Sequence, residues 1–144
     1  MLLGPRPEDL PRIPKVLAVY RVSAIITGLF LLLLCLMMVF RYGFGYDIEY
    51  TAAYGVQLTP KELISERGGI DVSTLILIAH GWLYVLYLAC DFLLWRFTRW
   101  SFGRFLFIAL GGIVPLLSFF FEFRVPRWVR DVLASAPQPV ETAA

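Results

Sequence analysis

Apolar positions dominate three stretches of the chain: Val22 to Phe40, Val72 to Cys90 and Phe105 to Phe121 run for 19, 19 and 17 residues without an Asp, Glu, Lys or Arg. At about 1.5 Å of rise per residue, and with a few flanking residues added, each can cross a hydrocarbon layer of about 30 Å. The pattern predicts an all-α membrane protein with three transmembrane helices, over about 16–42, 72–95 and 105–125. The first run is too long, and lies too far behind a proline-rich lead, for a cleaved signal peptide, so it reads as a retained span.

The segments between the runs are polar and punctuated. Residues 1–15 carry Pro5, Pro7, Pro11 and Pro14 and read as a disordered tail ahead of a membrane domain over 16–130. The first connection, 43–71, holds Asp47, Glu49, Glu62, Glu66 and Asp71 against Lys61 and Arg67. Within it, Thr59-Pro60-Lys61-Glu62 has capping-box spacing with proline at the first helical position. That predicts one short extra helix over 60–66, stopped by Gly68 and Gly69. The turn through Arg96, Arg99 and Ser101 is short, which makes the second and third spans antiparallel neighbours. Gly111, Gly112 and Pro115 interrupt the third run; its length suits a full crossing, and a re-entrant hairpin turning at these residues is the alternative. Residues 131–144 read as a disordered tail.

Composition adds little to that picture. Hydrophobic residues make up 59% of the 144 and mean hydropathy is +0.72, well above the soluble range of about 45–50% apolar. The net charge of +2 is scattered and leaves no nucleic-acid footprint. Cys35 and Cys90 lie inside apolar runs and act as small hydrophobes rather than as a redox or metal pair. With three crossings, Lys and Arg divide seven to six between the two sides. The acidic first connection tips the N-terminus toward the cytoplasm and the C-terminus away from it.

The second span carries the chemistry. His80, Tyr84, Tyr87 and Asp91 are spaced by four, three and four residues, so they share one helix face, and polar groups at this depth should face protein rather than lipid. Arg21 and Glu122 on the other spans complete a candidate intramembrane network, with Asp91 facing Arg21 or Arg96 and His80 facing Glu122 or a tyrosine. Gly28, Gly81, Gly111, Gly112 and Pro115 are the candidate packing positions. One histidine without clustered carboxylates provides no zinc or bis-histidine haem site, and Ser101 and Ser118 lack a GxSxG context, so no cofactor and no catalytic residue is named.

The run from His80 through Leu88, then Asp91, Trp100 to Arg104, and Gly111 through Ser118 ahead of Glu122, resembles the bacterial integral membrane family called domain of unknown function 3817. Tyr20-Arg21-Val22 with Gly28 is similar to the start of that domain. The resemblance implies a small three-span protein of the bacterial plasma membrane, often actinobacterial, and brings no established biochemical activity. The enlarged acidic connection 47–69 departs from the compact family pattern.

Three functional classes follow from the polar face. The leading one is a non-enzymatic accessory or assembly subunit whose partners are the lipid bilayer and either its own copies or a larger membrane complex. The second is an oligomeric transporter or channel component using the His80–Asp91 face, and the third is a lipid-modifying enzyme that brings His80 and Glu122 together at a cleft.

Overall fold

The computed structural model describes residues 4–136; the expected C-terminal tail falls outside them from residue 137 onward. The first long helix, α1, runs over Ile13–Val39 and continues as a π-helical turn, Phe40–Phe44, which Gly45 ends with φ of 74°. After the first connection, α3 spans Val72–Thr98. These two helices are long and apolar enough to cross a membrane. Asp71 starts α3 as an N-cap, its carboxylate accepting from the Thr74 N–H at 3.0 Å and the Thr74 hydroxyl at 2.7 Å. Arg99, in the left-handed region at φ 54°, ends it.

The expected third crossing is not formed. A short helix α4, Phe102–Ala109, rises beside α3 and tightens into a 3-10 turn, Leu110–Gly112; the chain reverses at 113–116, and α5, Leu117–Ser135, returns. The physical reason is local. Pro115 has no N–H to continue the ladder, the Ile113 and Val114 amides both fold back on the Leu110 carbonyl, and Leu116 takes a left-handed φ of 68°. Pro126, read from sequence as lying beyond the last span, sits inside α5.

The direction of α5 follows from its contacts. Ser118 meets Ala24, Glu122 meets Arg21, and Trp128 packs edge-on against Trp100 at 6.2 Å. As the α5 numbers rise, their α1 partners fall, so α5 runs back toward the end where α1 begins and α3 ends. The reversal itself lies opposite Gly28, near the middle of the 32-residue Ile13–Phe44 helix.

The first connection is also more than a loop with one helix. It forms a three-stranded antiparallel sheet ordered β2-β1-β3, from β1 (Tyr46–Thr51), β2 (Gly55–Pro60) and β3 (Ile70–Asp71). The short helix α2 is Lys61–Arg67, with Pro60 at its N-cap and no side-chain capping bond, because Thr59 is already paired within β2. The alternation in this sheet is inverted. Asp47, Glu49 and Thr59 are buried, while Tyr46, Tyr50, Val56, Leu58 and Ile70 are exposed. The buried acids are held where the sheet meets the helix ends: Arg41 donates to Asp47 at 2.8 Å, and Glu49 packs directly on Gly69, where no Cβ would fit.

The core lies toward the other end of the bundle. Ile13, Tyr20, Ala24, Tyr87, Leu94, Ile108, Phe121, Val125 and Val129 form one buried cluster drawn from α1, α3, α4 and α5. The returning hairpin therefore fills the bundle half that two antiparallel helices alone would leave open.

Candidate functional site

The polar face of α3 points into the protein, against the returning hairpin. Each tyrosine on it serves as a clamp: Tyr84 donates to the Ala109 carbonyl at 3.2 Å and Tyr87 to the Ile108 carbonyl at 2.7 Å. Those carbonyls belong to the last turn of α4, so the hydroxyls tie that turn to α3 just ahead of the reversal. Since the Tyr87 proton is committed to Ile108, Tyr20 donates to the Tyr87 oxygen, at 3.3 Å.

Close approach depends on small residues. A Cβ on Gly111 would lie 2.7 Å from the Tyr87 hydroxyl and 2.8 Å from the Phe121 ring, and one on Gly112 would run into the Tyr84 ring. Gly28 leaves room for Ser118 and Phe119, with contacts of 3.2 Å to a built Cβ. The Ser118 hydroxyl donates to the Ala24 carbonyl at 2.6 Å, pinning the start of α5 to α1. Gly81, grouped with these from sequence, faces open space, so it relieves no contact among the described residues.

The charged members pair differently from the sequence expectation. Arg21 binds Glu122 at 2.8 Å, not Asp91, because α5 returns alongside α1 instead of crossing away from it. Asp91 is fully buried and neither of its oxygens has a hydrogen-bond partner among the described residues. His80 forms no ion pair with an acid among the described residues. Its ring stacks in parallel on Tyr84, at 6.4 Å between centroids, and its Nδ1 is buried without a hydrogen-bond partner among the described residues. His80 thus sits at the tip of the hairpin, at mid-depth, while Asp91 sits below it in the core.

Sequence reasoning missed the sheet and its acids. The alternation Tyr46-Asp47-Ile48-Glu49-Tyr50 was a period-2 signal, obscured because the acidic positions are the inward ones. Outside the spans, Asp71 is affected by burial, which raises its pKa, but the hydrogen bonds from Thr74 and the Arg41 charge outweigh this and hold it below the ordinary aspartate value. No group of three or more His, Cys, Asp or Glu suited to a metal ion occurs among the described residues.

The family model described as a domain of unknown function, DUF3817, matches residues 17–127. The chain belongs to that family. An uncharacterized protein of Mycobacterium leprae is 28% identical over 103 residues, covering 72% of this chain and 66% of that protein, so the chain spans slightly less than two thirds of that relative. Uncharacterized proteins of Mycobacterium bovis and Mycobacterium tuberculosis are 31% identical over 111 residues, covering 77% of this chain and 73% of each. No solved structure matches. The chain is a small, multi-pass bacterial membrane protein of this actinobacterial family.

Proposed function

We propose that this DUF3817 protein is a non-enzymatic accessory or assembly subunit that works by lateral association with other membrane helices. The observation that carries this reading is the hairpin reversal. Residues 113–116 have non-helical backbone at mid-bundle, and Ile113 and Leu116 are 57% and 63% exposed. Irregular backbone at that depth is not tolerated against lipid; it persists where protein or a water-filled cavity covers it. A neighbouring helix lying across the reversal supplies that cover, and the exposed Ile113, Val114 and Leu116 are the apolar surface it meets.

The competing readings draw less support. A conduit along the His80–Asp91 face needs that face at a subunit boundary, whereas Tyr87 and Asp91 are fully enclosed within one chain. A lipid-modifying site needs His80 beside Glu122, whose carboxylate is engaged by Arg21.

The same geometry supports an orientation. If α5 returns, Arg124, Arg127 and Arg130 join Arg6, Arg12, Lys15, Arg21, Arg96, Arg99 and Arg104 at one end, leaving Arg41, Lys61 and Arg67 at the other. Ten against three is a marked positive-inside bias where three crossings would give near balance. We therefore assign both the N- and C-terminal ends of the described chain to the cytoplasm and the sheet to the opposite side.

The test is mass measurement in lipid nanodiscs with cross-linking from Leu116→Cys, after replacing Cys35 and Cys90. A defined oligomer or a stoichiometric membrane partner cross-linked at position 116 is expected. A monomer with position 116 accessible only to lipid probes would refute the proposal.

A further inference from the structure

At the end of the bundle where α1 begins and α3 ends, the described structure encloses an open cavity of about 680 Å³. Arg6, Arg12, Arg96 and Arg99 line it together with Trp95 and Trp100. Its two acids lie beside the N-terminal arginines, Glu8 at 3.5 Å from Arg6 and Asp9 at 3.9 Å from Arg12. Arg96 and Arg99 have no ion-pair partner among the described residues. Two uncompensated guanidinium groups three residues apart, facing one cavity, form an anion site.

Two further features specify what kind of anion. The Trp95 and Trp100 rings line the cavity beside these guanidinium groups, and Trp100 is more than nine-tenths buried. Arg99 holds the left-handed φ of 54° that glycine would adopt without strain, so the site keeps a guanidinium where the backbone favours no side chain. Planar guanidinium forks match the oxygens of a phosphate.

We propose that this cavity binds a phosphate-bearing anion, the phosphodiester of an anionic lipid headgroup or free phosphate. Its position supports the chemistry: the cavity lies where Arg96 follows the apolar run of α3, at the level of the bilayer interface where anionic headgroups sit. The site does not depend on lateral association, since all of its groups come from one chain.

The full chain in nanodiscs, examined by native mass spectrometry, tests the proposal with phosphatidylglycerol, with phosphatidylcholine and with inorganic phosphate as separate probes. Retention of phosphatidylglycerol over phosphatidylcholine, reduced at least about tenfold in Arg96→Gln/Arg99→Gly and unchanged in Arg127→Gln, is expected for a headgroup site. Displacement by millimolar inorganic phosphate with the same dependence on Arg96 and Arg99 would assign the site to free phosphate instead. Should the double variant fail to insert, the single Arg96→Gln change at the exposed helix end gives the same reading. Equal retention of the two lipids with no phosphate binding, or binding unaffected by either variant, would overturn the proposal.

Discussion

The Arg21 guanidinium donates to the Glu122 carboxylate at 2.8 Å across 101 residues of sequence, tying the returning helix α5 to the first span. Glu122 is nearly buried while Arg21 is half exposed, so removing the arginine strands the less solvated partner. Arg21→Ala is expected to destabilise the bundle by about 1–3 kcal/mol, less than for a fully buried pair because solvent screens the arginine. In a double-mutant cycle with Glu122→Gln the coupling should be about 1 kcal/mol, read from unfolding in mixed micelles. Additive losses would mean the pair does not hold α5 in place.

The hairpin docks through glycines that its neighbours have already filled. Gly112→Ala drives a methyl group into the Tyr84 ring, and overpacking of this kind costs about 1–3 kcal/mol. Gly81→Ala meets nothing within 4 Å and removes a helix-weakening residue, so it should be neutral or slightly stabilising. Thermal midpoints of the two variants decide this; equal losses would show that Gly81, too, contacts a neighbour.

Asp91 costs stability where it stands. Neither oxygen is partnered and the residue is fully buried. Asp91→Leu is therefore expected to raise stability by about 1–3 kcal/mol, the penalty of an unsatisfied buried polar group. A strongly destabilised leucine variant would reveal a partner for the carboxyl, a bound water or a neighbouring chain.

The N-cap of α3 gives a pH dependence with a definite sign. Because Asp71 is held below its ordinary value in the folded chain, its contribution is complete above about pH 4 and is lost as pH falls through the lower folded value. Asp71→Ala should cost about 1 kcal/mol at neutral pH, and the gap from the native chain should close on acidification. Hydrogen exchange at the Thr74 amide follows it directly. A gap that widened below pH 4 would reverse the assignment.

How far the fold was legible varies along the chain, for physical reasons. α1 and α3 were visible because uninterrupted apolar runs of membrane length have few other solutions, and the spacing of His80, Tyr84, Tyr87 and Asp91 placed them on one helix face. The third run misled because counting apolar residues measures capacity to cross, whereas the path is set by Gly111, Gly112 and Pro115 together with the acceptors Tyr84 and Tyr87. Arg21 and Glu122 were both recognised as network members, but their pairing depended on that path. The sheet was hidden because its burial is inverted: Asp47 and Glu49 face inward beside Arg41 and Gly69, so an acidic loop and a buried acidic strand read alike.

Cysteine accessibility measures the return of α5 most directly. In a chain lacking Cys35 and Cys90, single cysteines at Glu8, Tyr54 and Ser135 are probed from each side of sealed vesicles with a membrane-impermeant maleimide. Positions 8 and 135 are expected to label from one side and position 54 from the other. Labelling of position 135 together with position 54 would mean that the chain crosses a third time, and the returning hairpin and the charge asymmetry built on it would both be wrong.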